Sequence, residues 1–170
     1  MILDSGDRTQ FSSGAVRDMK GGKGRCDLLP LGQMIGIVEK LDACEDAMTV
    51  GKVLRSIRVA LIQEDGSQFL DAALEFIDYV YSGNVYASIL DLSIHFEEGA
   101  QKYGEGNWKK GIPIRSYVDS GLRHLFKYFA GYRDEPHDRA FIWNMVCAAW
   151  TASQKPELWE SESEINKVDE

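Results

Sequence analysis

Cysteine, basic charge and long apolar runs are all in short supply in this chain. Its three cysteines, Cys26, Cys44 and Cys147, are odd in number and widely spaced, and no CxxC pair occurs, which argues against a disulfide framework. No apolar stretch approaches the ~20 residues of a membrane span. No secretory apolar region opens the sequence, so the expectation is a reduced, cytoplasmic protein. Lys and Arg number 19 against 27 Asp and Glu, a net charge of −8. That balance disfavours duplex nucleic acid and anionic membranes as partners, while a small anionic ligand on a local basic cluster stays open. With 170 residues and 44% hydrophobic content, the chain suffices for one well-cored domain and is short for two.

What is present is helical periodicity. Residues 1–29 are polar and glycine-rich and lack a sustained period, so they read as a basic extended arm or ordered loop. From Pro30 the spacing changes. Leu31, Met34, Ile35 and Val38 share one helical face, as do Val50, Val53, Leu54, Ile57 and Leu61, and then Phe69, Ala72, Ala73, Phe76, Ile77 and Val80. Asn84 can cap a fourth helix whose expected buried stripe is Val85, Ile89, Leu92, Phe96 and Tyr103. A loop with three glycines follows, and Pro113 opens a fifth helix with Val118, Leu122, Leu125 and Phe129 inward. The sixth is apolar on nearly every side from Ala140 to Trp150, as befits the centre of a bundle or a subunit contact. No strand pair is evident. The expectation is an all-α bundle of about six helices over 30–153, self-associating, with an acidic tail at 154–170.

Three constellations carry chemical potential. Arg17, Lys20, Lys23 and Arg25 are woven among glycines in the arm, where exposed N–H groups and cations suit a phosphate chain, although the spacing is not that of a Walker loop. On the fourth helix Asp91, His95 and Glu98 share a flank, with Glu97 on the other. Oxygen and nitrogen ligands there could hold Mg2+ or Mn2+ with help from Asp119, but for Asp91 and His95 a solvated flank is the simpler reading. On the last two helices Asp119 and Arg123 pair at i and i+4, His124 points to the other flank, and His137 and Asn144 share a face. An asparagine inside so apolar a helix needs partners, either in a loop or in a ligand. Within the glycine loop, Asn107 supplies donor and acceptor, and Trp108 either offers a stacking face or plugs the bundle end.

The runs GAQKYGEGNWKKGIP, YVDSGLRHLFKYFAG and DEPHDRAFIWNMVCAAW resemble a phage family of dATP/dGTP diphosphohydrolase-like proteins, related to the helical MazG-type pyrophosphohydrolases. SSGAVRDMKGGKGRCDLLP is similar to that family's opening segment. The resemblance spans roughly residues 4–35 and 96–151, leaving 36–95 as a possible insertion. It implies a nucleotide-handling protein of the cytoplasm of a phage-infected host, cleaving a purine deoxynucleoside triphosphate to monophosphate and pyrophosphate. Glu98 and Asp119 would then be catalytic. Glu97, Glu98, Asp119 and Asp138 would hold Mg2+ or Mn2+. Arg17, Lys23 and Arg25 would take phosphates, with Lys102, Tyr103, Asn107, Trp108, Arg123, His124, His137 and Asn144 around the rest of the nucleotide. The sequence departs from the expected acidic pattern at Gln101 and Ser116. A non-catalytic protein that sequesters a nucleotide or nucleotide-derived signal is the alternative, and a helical protein without ligand leaves the arm and Trp108 unexplained.

Overall fold

The computed structural model describes residues 8–18, 26–38, 40 and 44–159. Six helices make the body: α1 Leu31–Val38, α2 Glu45–Gln63, α3 Ser67–Tyr81, α4 Val85–Tyr103, α5 Ile114–Phe129 and α6 His137–Gln154. Their ends have local causes. Glu64 and Ser82 adopt the left-handed conformation that closes α2 and α3. Asn84 caps α4 by accepting from the Ala87 N–H at 3.2 Å, and Pro113 precedes the first residue of α5. No helix among the described residues is long and apolar enough to cross a membrane.

The sixth helix lies inside the bundle, in contact with α3, α4 and α5. Its near-continuous apolar surface is thereby used within one chain: Phe141, Ile142, Met145, Cys147 and Ala148 are buried. Gly121 lets α5 approach it closely, since a Cβ there would lie 2.6 Å from the Met145 Cε and 3.3 Å from the Asn144 Cβ.

Two features differ from the sequence expectation. The arm contains a strand pair, β1 Arg8–Gln10 and β2 Val16–Asp18, antiparallel with Arg8 opposite Asp18. Three-residue strands are too short to show a period, and this hairpin is held by distant residues. The Asn107 amide accepts from the Val16 N–H at 3.0 Å and donates to the Val16 carbonyl at 2.9 Å, serving one residue of β2 as a third strand would. Asp18 accepts from Lys102 and Tyr103, each at 2.9 Å, and from Arg8 at 3.1 Å. Hairpin, α4 terminus and glycine loop are thus one hydrogen-bonded corner.

The second difference is the rotation of α4. Ser88 and His95 are buried, whereas Ile89 is 54% exposed and Val85 lies at the surface; Leu92, Phe96 and Tyr103 are partly covered. His95 is therefore not on a solvated flank, and Asp91 accepts from the Tyr81 hydroxyl at 3.0 Å. His95 faces inward against Trp143 of α6, 5.6 Å away between ring centroids, and Ser88 is satisfied within its own helix by donating to the Val85 carbonyl at 2.8 Å.

Candidate anion-binding site

That inward surface is the seam between α4 and α6, covered at one end by β2. Arg139 and Trp143 stand one turn apart on α6, and His95 and Glu98 face them from α4. Arg139 donates to Glu98 at 2.9 Å, and the rings of His95 and Trp143 lie 5.6 Å apart. From the hairpin, Arg17 reaches over Tyr117 and Trp143, its Cζ 5.2 Å and 5.8 Å from the ring centroids.

Arg17 is held by neutral groups. It donates to the Ser116 carbonyl at 3.0 Å and to the Asn144 Oδ1 at 2.6 Å. Asn144 is oriented in turn by donating to the Ala140 carbonyl at 2.7 Å. No carboxylate pairs with Arg17 among the described residues. Burial consequently lowers its pKa from the ordinary arginine value. Desolvating a cation without an anion is costly, and a phosphate oxygen would remove that cost.

Nearby polar atoms are also unsatisfied. The Arg139 Nε, Trp143 Nε1 and His95 Nδ1 are buried without hydrogen-bond partners among the described residues. Two of the three are obligate donors. Burial, aided by the charges of Arg139 and Arg17, pulls the His95 pKa down to about 4 against the pull of Glu98, so the ring is neutral at pH 7. A cation on neutral supports, two orphan donors and a neutral imidazole on one seam form a surface suited to an acceptor-rich anion.

The residues named from sequence fall in several places. Arg17, Asn144 and Glu98 come together at this seam. Lys102 and Tyr103 are committed to Asp18, and Asn107 to Val16, so these three build the corner. Trp108 is partly buried, 5.3 Å from the Phe96 ring and 4.9 Å edge-on to Trp150, and its carbonyl accepts from the Tyr117 hydroxyl at 3.2 Å. Such packing favours the bundle plug over an open stacking face. Asp119 is 1% exposed and accepts from the Cys26 N–H and from Arg123, each at 2.6 Å. His124 and His137 meet each other at the α5–α6 corner. Lys23 and Arg25 lie outside the described residues. Sequence reasoning missed Trp143 and Arg139 and set His95 aside, because an orphan donor is visible only once the opposite helix is in place.

The carboxylates expected to hold Mg2+ or Mn2+ do not converge. Glu97 is exposed, Glu98 is paired with Arg139, both oxygens of Asp119 are engaged, and Asp138 lies by Tyr81 and Tyr128. Among the described residues, one His/Cys/Asp/Glu group brings three ligand atoms together: His124, Glu135 and His137. Among the described residues, the carboxylates therefore do not fit an oxygen cage for either ion.

Fold and seam together define an all-α protein with a half-buried seam that carries Arg17 and Arg139 and is covered at one end by the hairpin. Residues 78–161 match the protein-family model described as dATP/dGTP diphosphohydrolase, N-terminal, so that segment of the chain is similar to this family. The match runs from the end of α3 through α6. It includes Glu98, Arg139, Trp143 and Asn144, leaves the hairpin and Arg17 outside, and takes in residues 78–95 of the stretch read as an insertion. No curated protein and no solved structure matches the chain significantly.

Proposed function

We propose that the protein binds a purine nucleoside triphosphate at the α4–α6 seam and cleaves it to monophosphate and pyrophosphate. The observation that carries the reading is Arg17, a desolvated guanidinium that, among the described residues, is supported by neutral groups alone. In the proposal the phosphate chain takes its charge, with the Arg139 Nε–H and Trp143 Nε1–H as further donors. Glu98 is the carboxylate at the seam, and its proposed role is to accept a proton from the attacking water once phosphate draws Arg139 away. The family description supports the substrate class and reaction.

A second reading, retention without turnover, is favoured by the engagement of Asp119 and Glu98 with cations. One experiment separates the two. Purified protein is incubated with a panel of nucleotides, with and without Mg2+ or Mn2+, and the products are resolved by chromatography. Monophosphate plus pyrophosphate supports cleavage; retained, unaltered nucleotide supports sequestration; neither outcome removes the site.

Self-association belongs to the same proposal, but its basis moves from α6, which is spent internally, to α4. Tyr86, Ile89, Leu90 and Ile94 line one exposed face of α4 at helical spacing, an apolar strip that a second copy would cover.

A further inference from the structure

The corner between α5 and α6 holds three ligand-type side chains that the proposed nucleotide site does not use. His124 is on α5, Glu135 lies in the turn, and His137 opens α6. One ligand atom from each lies within 4.8 Å of the other two. The two histidine Nδ1 atoms are 2.9 Å apart. Rings facing each other this closely share a single proton, one donating and one accepting.

Asp134 decides which ring accepts. Its Oδ1 lies 2.8 Å from the His137 Nε2, and an ionised carboxylate only accepts, so His137 carries its proton on Nε2 and turns an Nδ1 lone pair toward His124. The other Asp134 oxygen is held by Lys127 at 2.9 Å, which fixes the carboxylate in place. A carboxylate behind a histidine is the arrangement that orients imidazole ligands in metal centres.

We propose that the Nδ1 atoms of His124 and His137 and the carboxylate of Glu135 bind one divalent transition metal, Zn2+ foremost, with Asp134 as the residue that orients His137. Two imidazoles and one carboxylate suit an ion of borderline softness better than Mg2+, which takes oxygen ligands. Bonds of about 2.0–2.1 Å in tetrahedral geometry place two nitrogens roughly 3.3 Å apart, so the rings need open by only a few tenths of an ångström. On binding, the proton on His124 Nδ1 passes to Nε2 of the same ring, leaving proton and electron counts unchanged. Three protein ligands leave a fourth position for water or a ligand oxygen.

The test uses tag-free, full-length protein stripped with a chelator and titrated with Zn2+ by calorimetry, then with Co2+ by absorption spectroscopy. The expected result is about one Zn2+ per chain, a raised melting temperature, and a Co2+ spectrum without thiolate charge transfer. Glu135→Gln and Asp134→Asn, both outside the hydrophobic core, are expected to keep the circular dichroism of the parent and to weaken Zn2+ binding at least about tenfold. No saturable binding, a thiolate band from Cys26 or Cys44, or undiminished affinity in both variants overturns the proposal. None of these measurements uses nucleotide, so the metal site and the nucleotide site stand or fall separately.

Discussion

Arg17 and Asn144, separated by 127 residues in sequence, meet at 2.6 Å, and the amide of Asn144 is held in turn by its own helix. The asparagine that the sequence marked as an anomaly in an apolar helix is thus the support of the proposed phosphate-binding arginine.

Arg17→Met removes the charge while keeping an apolar stem over Tyr117 and Trp143. The proposed site predicts a loss of nucleotide affinity of about 1.5–3 kcal/mol, the range for hydrogen bonds to a charged group. Stability should change less, because losing two hydrogen bonds is offset by not burying an unpaired cation. Calorimetric titration and a urea melt check the two halves. Undiminished affinity would remove Arg17 from the site.

Trp108→Ala is expected to act on stability. Its ring contacts with Phe96 and Trp150 put the cost at about 2–4 kcal/mol, somewhat below that of a fully buried aromatic. Nucleotide affinity of the folded protein should be nearly unchanged. A melt together with a binding isotherm checks this, and lost affinity at unchanged stability would restore the loop as a base-stacking element.

Histidine 95 makes stability depend on pH. Its folded pKa is about 4 against an ordinary histidine value of 6.5, so between those values the unfolded chain takes up a proton that the folded one refuses. Its contribution is whole above pH 6.5 and declines as pH falls toward 4, by about 3 kcal/mol in total and about 2 kcal/mol by pH 5. His124, whose pKa burial also lowers, adds in the same direction. Urea midpoints at pH 7.5 and pH 5 measure the slope, and His95→Gln should reduce it without abolishing it. An unaltered slope in that variant would mean that His95 does not titrate as described.

The exposed strip on α4 predicts self-association. Light scattering should return a multiple of the 19.1 kDa chain mass. Leu90→Glu, at a position 69% exposed, should shift the protein toward monomer without lowering helix content. A wild-type monomer would leave the strip without a partner of its own kind.

Helix positions were legible in the sequence because periodicity, Asn84 and Pro113 all act within a turn or two of chain. The rotation of α4 was not, since a rule that turns apolar residues inward fails where His95 packs against Trp143 and where Ser88 is satisfied by the Val85 carbonyl of its own helix. The hairpin was hidden for a related reason: its strands are held by Asn107, Lys102 and Tyr103, far along the chain. At the site, Arg17, Glu98 and Asn144 could be named from residue type and context. Trp143 and Arg139 could not, because nothing local distinguishes an indole or guanidinium with a spare N–H from one that is satisfied.

The hairpin's attachments also bear on the order of assembly. Neighbouring helices such as α2 with α3 and α5 with α6 pair through short loops, whereas Val16 reaches Asn107 across 91 residues. Contacts of such separation close slowly, and they reward the chain only after their docking surface exists. The helical bundle should therefore form first and the hairpin latch onto it later, so recovery of helical signal on refolding should precede recovery of nucleotide binding. During synthesis the hairpin is made before the helices that seat it and settles after them: Arg17 leaves the ribosome long before Asn144, and has no seat until α6 has followed it out.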